Sequence, residues 1–372
     1  MGNKSYLLLS GVLLMSILFW SACNNPGSSL EESVEPYLEL ESIEEASSTT
    51  VTVNKGETHG LDSFFAFDLS NIKPNGFVSN GLKEGWCLEW NKPLDSNNGV
   101  QTDVKMFNTH GSASWKPANY LMNIKDDLQS VDPELTYREI QVALWSLIEV
   151  PAFNIDKALQ DGTMPSRMLT NGSPNFNVEK TKGIINKVRN EVDDFVYKTG
   201  TPVIVYSNMA SEYQDGGFVT GETAWAFSPN PTDGSVNSSI SKEFCGNNNL
   251  GINKWGWTNG PFVTGDSGSF DIIAGAGQCD LSNGELVGTF AYEYKQNGEF
   301  EYTLDLTVDN DYIDLHLYVG STELPLENGS FTAAPGQFPY NVSISSGIGQ
   351  TSNTLSQTFS GDIYIAVHLG PL

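Results

Sequence analysis

Residues 136–148 read TYREIQVALWSLI. Thr136 followed three residues later by Glu139 is a capping box, in which hydroxyl and carboxylate each cover a backbone N–H at a helix start. Ile140, Ala143, Leu144, Leu147 and Ile148 then recur at helical spacing and predict an amphipathic helix. Gln141 falls on the face of Leu144, Trp145 and Ile148, at three, four and seven residues on. An amide on an apolar face must find a partner, because a buried unpaired amide is costly. A hydrogen bond to backbone would meet that need, and so would a chemical role.

Outward from this helix the pattern mixes strands and helices. Segments 64–67 (FFAF) and 86–90 (WCLEW) read as buried strands bounded by Gly and Asn. A second helix is predicted over 178–197, with Ile184, Ile185, Val188, Val192 and Phe195 on one stripe. Residues 202–206 (PVIVY) read as a strand, and 229–241 (PNPTDGSVNSSIS) as a linker or long loop. Beyond about 242 the pattern is purely β. Runs 287–295, 299–308, 312–319 and 360–368 alternate apolar and polar residues, and turns such as 296–298 (QNG) and 328–329 (NG) separate some of them. The expected class is α+β: a mixed α/β domain over 51–230, a linker or long loop over 231–245, and a small antiparallel β-sandwich over 246–372.

Composition agrees with a folded, turn-rich chain. Among 372 residues, 39% are hydrophobic, 11% aromatic and 17% charged, with 36 Gly and 17 Pro. Against 45 acidic residues stand only 19 Lys and Arg. That balance excludes nucleic-acid binding as a main activity, since phosphate contact needs clustered cations. It equally excludes a broad electrostatic grip on anionic lipid.

The N-terminus has the layout of a targeting segment. A short basic start (Met1–Lys4) precedes the apolar run YLLLSGVLLMSILF (6–19) and then Trp20-Ser21-Ala22-Cys23. The run is short for a membrane span. Ser21-Ala22-Cys23 resembles a bacterial lipobox, with Trp20 where that motif has Leu; the resemblance implies cleavage before Cys23 and acylation of its thiol. Residues 1–22 are then a lipoprotein signal peptide, and the protein is tethered by lipid to the cell envelope, at the outer membrane or cell surface. Residues 24–50 hold seven Glu and no Lys or Arg, which predicts an extended acidic tether over 23–50.

Four cysteines are present, at 23, 87, 245 and 279. With Cys23 lipidated, three remain, an odd number for an oxidising compartment. Cys245 and Cys279 flank the segment Trp255-Gly256-Trp257 and are the expected disulfide. Cys87 is left over, in Gly-Trp-Cys-Leu-Glu-Trp (85–90), either as an inert core thiol or as a reactive one.

An aromatic-Cys-hydrophobic segment followed by a hydrophobic-Gln-x-Ala-hydrophobic-Trp helix resembles the bacterial thioester domains of surface adhesins. The likeness extends over about 55–230 in layout, and to Trp86-Cys87-Leu88 and Ile140-Gln141-Val142-Ala143-Leu144-Trp145 in detail. Ile140 stands where that family often has Thr. The resemblance implies an internal thioester between Cys87 Sγ and Gln141 Cδ, which would acylate an amine on a surface protein or a small amine. Such a reaction is single-turnover acyl transfer rather than enzymatic turnover. Trp86, Trp90 and Trp145 would line an apolar pocket that keeps water away. His110, between the motifs, could assist proton transfer or be an ordinary loop histidine. The competing reading is a non-covalent surface lipoprotein, glycan-binding or structural, with Cys87 and Gln141 as ordinary core residues. The C-terminal part resembles a β module of exported bacterial proteins.

Other signals point to structure. Gly265-Asp266-Ser267-Gly268 resembles a serine-protease nucleophile segment, but the four histidines (59, 110, 316, 368) lack that family's context. Asp309-Asn310-Asp311 lacks the rest of a calcium loop. No metal pattern or cofactor motif is present.

Overall fold

The computed structural model describes residues 37, 39–149, 151–245, 250–252 and 254–371. Cys23 and the leader lie outside them. The fold is α+β, built as two lobes with separate hydrophobic clusters.

The first lobe begins with β1 (Thr49–Lys55), β2 (Phe65–Ser70), β3 (Gly81–Cys87) and β4 (Asn97–Asn108). Helices α1 (Lys116–Val131), α2 (Tyr137–Leu147), α3 (Ile155–Gln160) and α4 (Val178–Glu191) follow. Strands β5 (Val203–Asn208) and β6 (Gly216–Thr220) complete it. The strand order is β4-β1-β2-β3-β6-β5, and β5 returns to pair with β4. All pairings are antiparallel, so six strands close into a barrel-like sheet. Closure leaves no long unpaired edge in this lobe.

Helix α2 starts where the capping box predicts. Glu139 Oε2 accepts the Thr136 N–H at 2.9 Å, and Thr136 Oγ1 accepts from Arg138 N at 3.3 Å. Glu139 Oε1 also takes the Asn177 N–H at 2.7 Å, so one carboxylate serves the beginnings of both α2 and α4. The helix is buried on every side rather than on one face, because α1 and α4 pack over it. Helix α4 ends at Glu191, short of the predicted 197. A 3-10 turn follows through Val192–Asp194, and Phe195 turns aside to pack on Tyr120 and Tyr197. Asp193 and Asp194 at that end oppose the helix dipole and favour stopping.

The predicted tether is partly folded. Tyr37, Leu40 and Ile43 pack on the first core and Ala46 is fully buried. Glu41–Ser42 pairs with Asn108 and Phe107 of β4. Apolar residues at 40, 43 and 46 give this acidic segment a face to bury.

The second lobe holds β7 (Ala224–Phe227), β8 (Ser241–Glu243), β9 (Trp257–Phe262), β10 (Ser267–Ala274), β11 (Glu285–Tyr294) and β12 (Phe300–Leu306). It continues with β13 (Tyr312–Gly320), β14 (Tyr340–Ser343), β15 (Gly349–Thr354) and β16 (Ile363–Pro371). These form one antiparallel sheet, ordered β8-β9-β16-β7-β10-β11-β12-β15, with β13 pairing β16 and β14. The four strands expected from alternation appear as β11, β12, β13 and β16. The residues of β7 fall within the expected first domain, 51–230. The strand pairs with β10 and β16 instead, so the lobes change over at 221–223, and the end of the predicted linker forms β8. Ala224 and Ala226 face one cluster, Trp225 and Phe227 the other, as period-two alternation requires of a strand buried on both faces. Cys245 and Cys279 form a disulfide, with Cα atoms 5.9 Å apart.

Hydrogen bonds tie the lobes together. Asp311 N–H donates to Thr199 O at 2.9 Å, its carboxylate accepts from the Thr201 hydroxyl, and Lys198 pairs with Asp309 at 3.2 Å.

Candidate functional site

Cys87 is the last residue of β3 and is 1% exposed. Its register partner on β6 is Gly216. Leu88 N–H bonds Asp215 O at 3.0 Å, so the Cys87 N–H and C=O point away from β6, toward the side where β2 lies. But β2 begins only at Phe65, opposite Gly85, and no strand runs past Cys87 there. The side chain of Gln141 fills the gap. Its Oε1 accepts the Cys87 N–H at 2.9 Å and its Nε2 donates to Cys87 O at 2.8 Å.

The amide that meets the sulfur belongs to another residue. Cys87 Sγ is in hydrogen-bond contact with Oε1 of Gln214, a residue 7% exposed in the turn leading into β6. The sulfur also lies 3.4 Å from Glu89 O. The pairing expected from sequence was with Gln141. Gln141 touches Cys87 as anticipated, yet its amide is committed to the main chain, and Gln214 supplies the amide at the thiol. The reason lies in Gly216 and Gly217, which let β6 approach closely. A Cβ on Gly216 would stand 2.5 Å from the Phe67 ring, and one on Gly217 would stand 2.7 Å from an Ile204 methyl. The helix-face pattern could not reveal a turn residue. The available signal was Gln214-Asp215-Gly216-Gly217, a polar pair entering a strand with no side chains.

The surroundings are apolar and aromatic. Trp86, Leu88 and Trp145 are each at most 2% exposed, and the half-buried Trp90 packs on Phe153 at 5.3 Å. Burial pushes the Cys87 thiol far above its ordinary range, and the Glu89 charge adds to this. The Trp145 indole N–H, without an oxygen or nitrogen acceptor among the described residues, acts the other way and favours the thiolate. So does the Arg167 guanidinium, which lies 4.0 Å over the Phe64 ring. Asp215, 4% exposed, accepts from Met209 N at 2.7 Å and from the Tyr206 hydroxyl. Burial, with the charge of Glu89 adding, raises its carboxyl to about 6. Glu89 in turn accepts the Asp215 N–H at 2.9 Å and pairs with Lys92 at 2.9 Å.

Comparison with family models, curated proteins and solved structures finds no match. The chemistry of the site therefore rests on its own geometry.

His110 is placed elsewhere. Its ring packs on Tyr197 at 4.7 Å, beside a groove that includes Val196, Lys198 and Glu222, and its backbone N–H bonds Asn108 Oδ1. Among the described residues these neighbours include neither Cys87 nor either glutamine. Cys87 is the free cysteine among the described residues.

An amide carbonyl against a thiol, in a chamber closed to water, can do two things. It can accept a hydrogen bond from a neutral S–H. It can also be the acyl group that the sulfur attacks.

Proposed function

We propose that this chain is a cell-envelope lipoprotein that captures an amine-bearing partner covalently, through an internal thioester between Cys87 Sγ and Gln214 Cδ. The observation that carries the reading is the contact of the Cys87 sulfur with the Gln214 amide. In forming the bond, sulfur joins Cδ, the Cδ–N bond breaks, and ammonia leaves with the thiol proton. A partner amine then attacks Cδ, the C–S bond breaks, and one amine proton returns to the Cys87 sulfur. The product is an amide from Gln214 to the partner.

The division of labour follows from the contacts. Gln141 holds the Cys87 peptide in place. Asp215, adjacent to Gln214 and titrating near neutrality, is suited to hold a proton during ammonia loss. Trp86, Trp90, Trp145 and Phe153 keep water from the activated acyl group. The lipobox-like Cys23 and the thioester-domain resemblance, which here supports Cys87 alone and places the acyl group at Gln141, supply the biological setting, an adhesin at the outer membrane or cell surface.

A second reading is favoured by the raised thiol pKa: a neutral S–H donating permanently to the Gln214 amide, in a non-covalent binding or structural lipoprotein. Intact mass of the full chain, before and after methylamine, separates the two. Covalent capture predicts a deficit of one ammonia beyond the disulfide, replaced by a methylamine adduct that maps to Gln214 and is abolished in Cys87→Ala. A full mass, with Cys87 alkylated only after unfolding, would select the second reading.

A further inference from the structure

Basic residues are scarce here, 19 against 45 acids, yet several meet in one place. A cavity of about 400 Å³ lies between the loop before β3 and the second lobe. Its lining includes Lys73, Lys83, Lys254, His316 and His368, and no Asp or Glu. Among the described residues none of these lysines has an ion-pair partner. Lys83 Nζ donates to Ser79 Oγ at 3.0 Å, leaving two of its protons unused.

Several neutral polar groups of the lining are already committed. Asn75 Oδ1 accepts from Phe77 N and Val78 N, Asn80 bonds both polar backbone atoms of Ile72, and the Thr220 hydroxyl bonds Phe77 O. His316 Nδ1 meets Asn341 Oδ1 at 2.7 Å, so the lysines and His368 are the less engaged polar groups. His368 is 6% exposed and its Nδ1 has no partner among the described residues. Its ring lies 5.4 Å from that of His316 and 4.8 Å from that of Trp225. Trp225 and Trp255 supply the apolar part of the wall.

Like charges gathered where Lys83 and Lys254 are half-buried, with no counter-charge in the lining, are unfavourable for the empty protein. Burial and the neighbouring Lys254 lower Lys83 to about 8, and burial lowers Lys254 as well. An arrangement of this kind gains most from a bound anion.

We infer that this cavity binds a small organic oxyanion, its charged oxygens between Lys83 and Lys254 and its body against Trp225 and Trp255. The inference is independent of the thioester, which lies in the other core. Lys83 and Lys254 would hold the anion as point charges, and His368 Nδ1 would donate to a further oxygen when that nitrogen carries the proton. The volume suits a molecule of one ring and one acidic group.

The test is a titration of the full chain with sodium benzoate and, separately, sodium phosphate, at ionic strength fixed with sodium chloride, followed by tryptophan fluorescence. Saturable binding of benzoate, weakened at least about tenfold in Lys83→Met/Lys254→Met, is the expected result. The same double variant should melt no lower than the parent without ligand, because it removes two half-buried cations that lack ion-pair partners; if it does not fold, Lys254→Met alone carries the comparison. Lys182→Met, outside the lining of this cavity, should bind as the parent does. Binding of phosphate alone would mean that the cations recognise the oxyanion without the ring, and would overturn the organic body of the assignment. No saturation with either anion, or equal affinity in the methionine variant, would overturn the site.

Discussion

The side-chain amide of Gln141 makes both hydrogen bonds of the Cys87 peptide, as a neighbouring strand would. A helix residue thus completes a sheet where β2 has ended. Replacing Gln141 with Leu would leave a buried N–H and a buried C=O unpaired, at about 1–3 kcal/mol each. Thermal or urea unfolding should show a loss on that scale. A variant as stable as the parent would mean that water or a shifted strand takes over the role.

Asp215 should make stability depend on pH. Its folded value of about 6 exceeds the ordinary 3.8, so the folded state holds the proton more tightly than the unfolded state. Its favourable contribution is therefore complete below about 4 and is lost as pH rises through 6, a change of about 3 kcal/mol. Asp215→Asn, which mimics the protonated form, should lack this dependence. The relevant measurement is the melting difference between variant and parent at pH 4 and pH 8. A difference that does not grow with pH refutes the assignment.

Reduction of Cys245–Cys279 should destabilise the second lobe. The bridge spans 34 residues of sequence, for which loop-closure entropy suggests about 3–4 kcal/mol. Melting with and without reductant, monitored through the buried Trp255 and Trp257, reads this directly. An unchanged melting temperature would show that the Trp-rich cluster holds the segment without the bridge.

Anion affinity should weaken above pH 8. Lys83 faces Lys254, His316 and His368 across the cavity, and it binds an anion in its protonated form. Above about 8 the empty site must take up a proton to bind, so Kd should rise by up to about tenfold per pH unit. A flat benzoate affinity between pH 7 and pH 9.5 contradicts the role of Lys83.

Local signals carried the reading of α2, Cys87 and the disulfide, because each lies in residues close in sequence or in simple cysteine arithmetic. The change of lobe was hidden. Ala224–Phe227 is four buried residues long, too short to announce which sheet it joins. Gln214 was hidden for a different reason: its place against the sulfur depends on how closely two glycines let β6 approach. The basic cavity draws on residues from 73 to 368, and no periodicity links positions brought together by two lobes.

The closed barrel has a mechanical consequence. Glu41–Ser42, near the start of the described residues, is hydrogen-bonded to β4, and Gln214 leads into β6 of the same barrel. A pull applied between an N-terminal anchor and a partner joined at Gln214 would run through that barrel alone. The second lobe would hang beside the line of tension, unloaded. Stretching a single molecule between those points should release the contour length of the first lobe and leave the β module folded; extension that includes residues 224–371 would show that the lobes share the load.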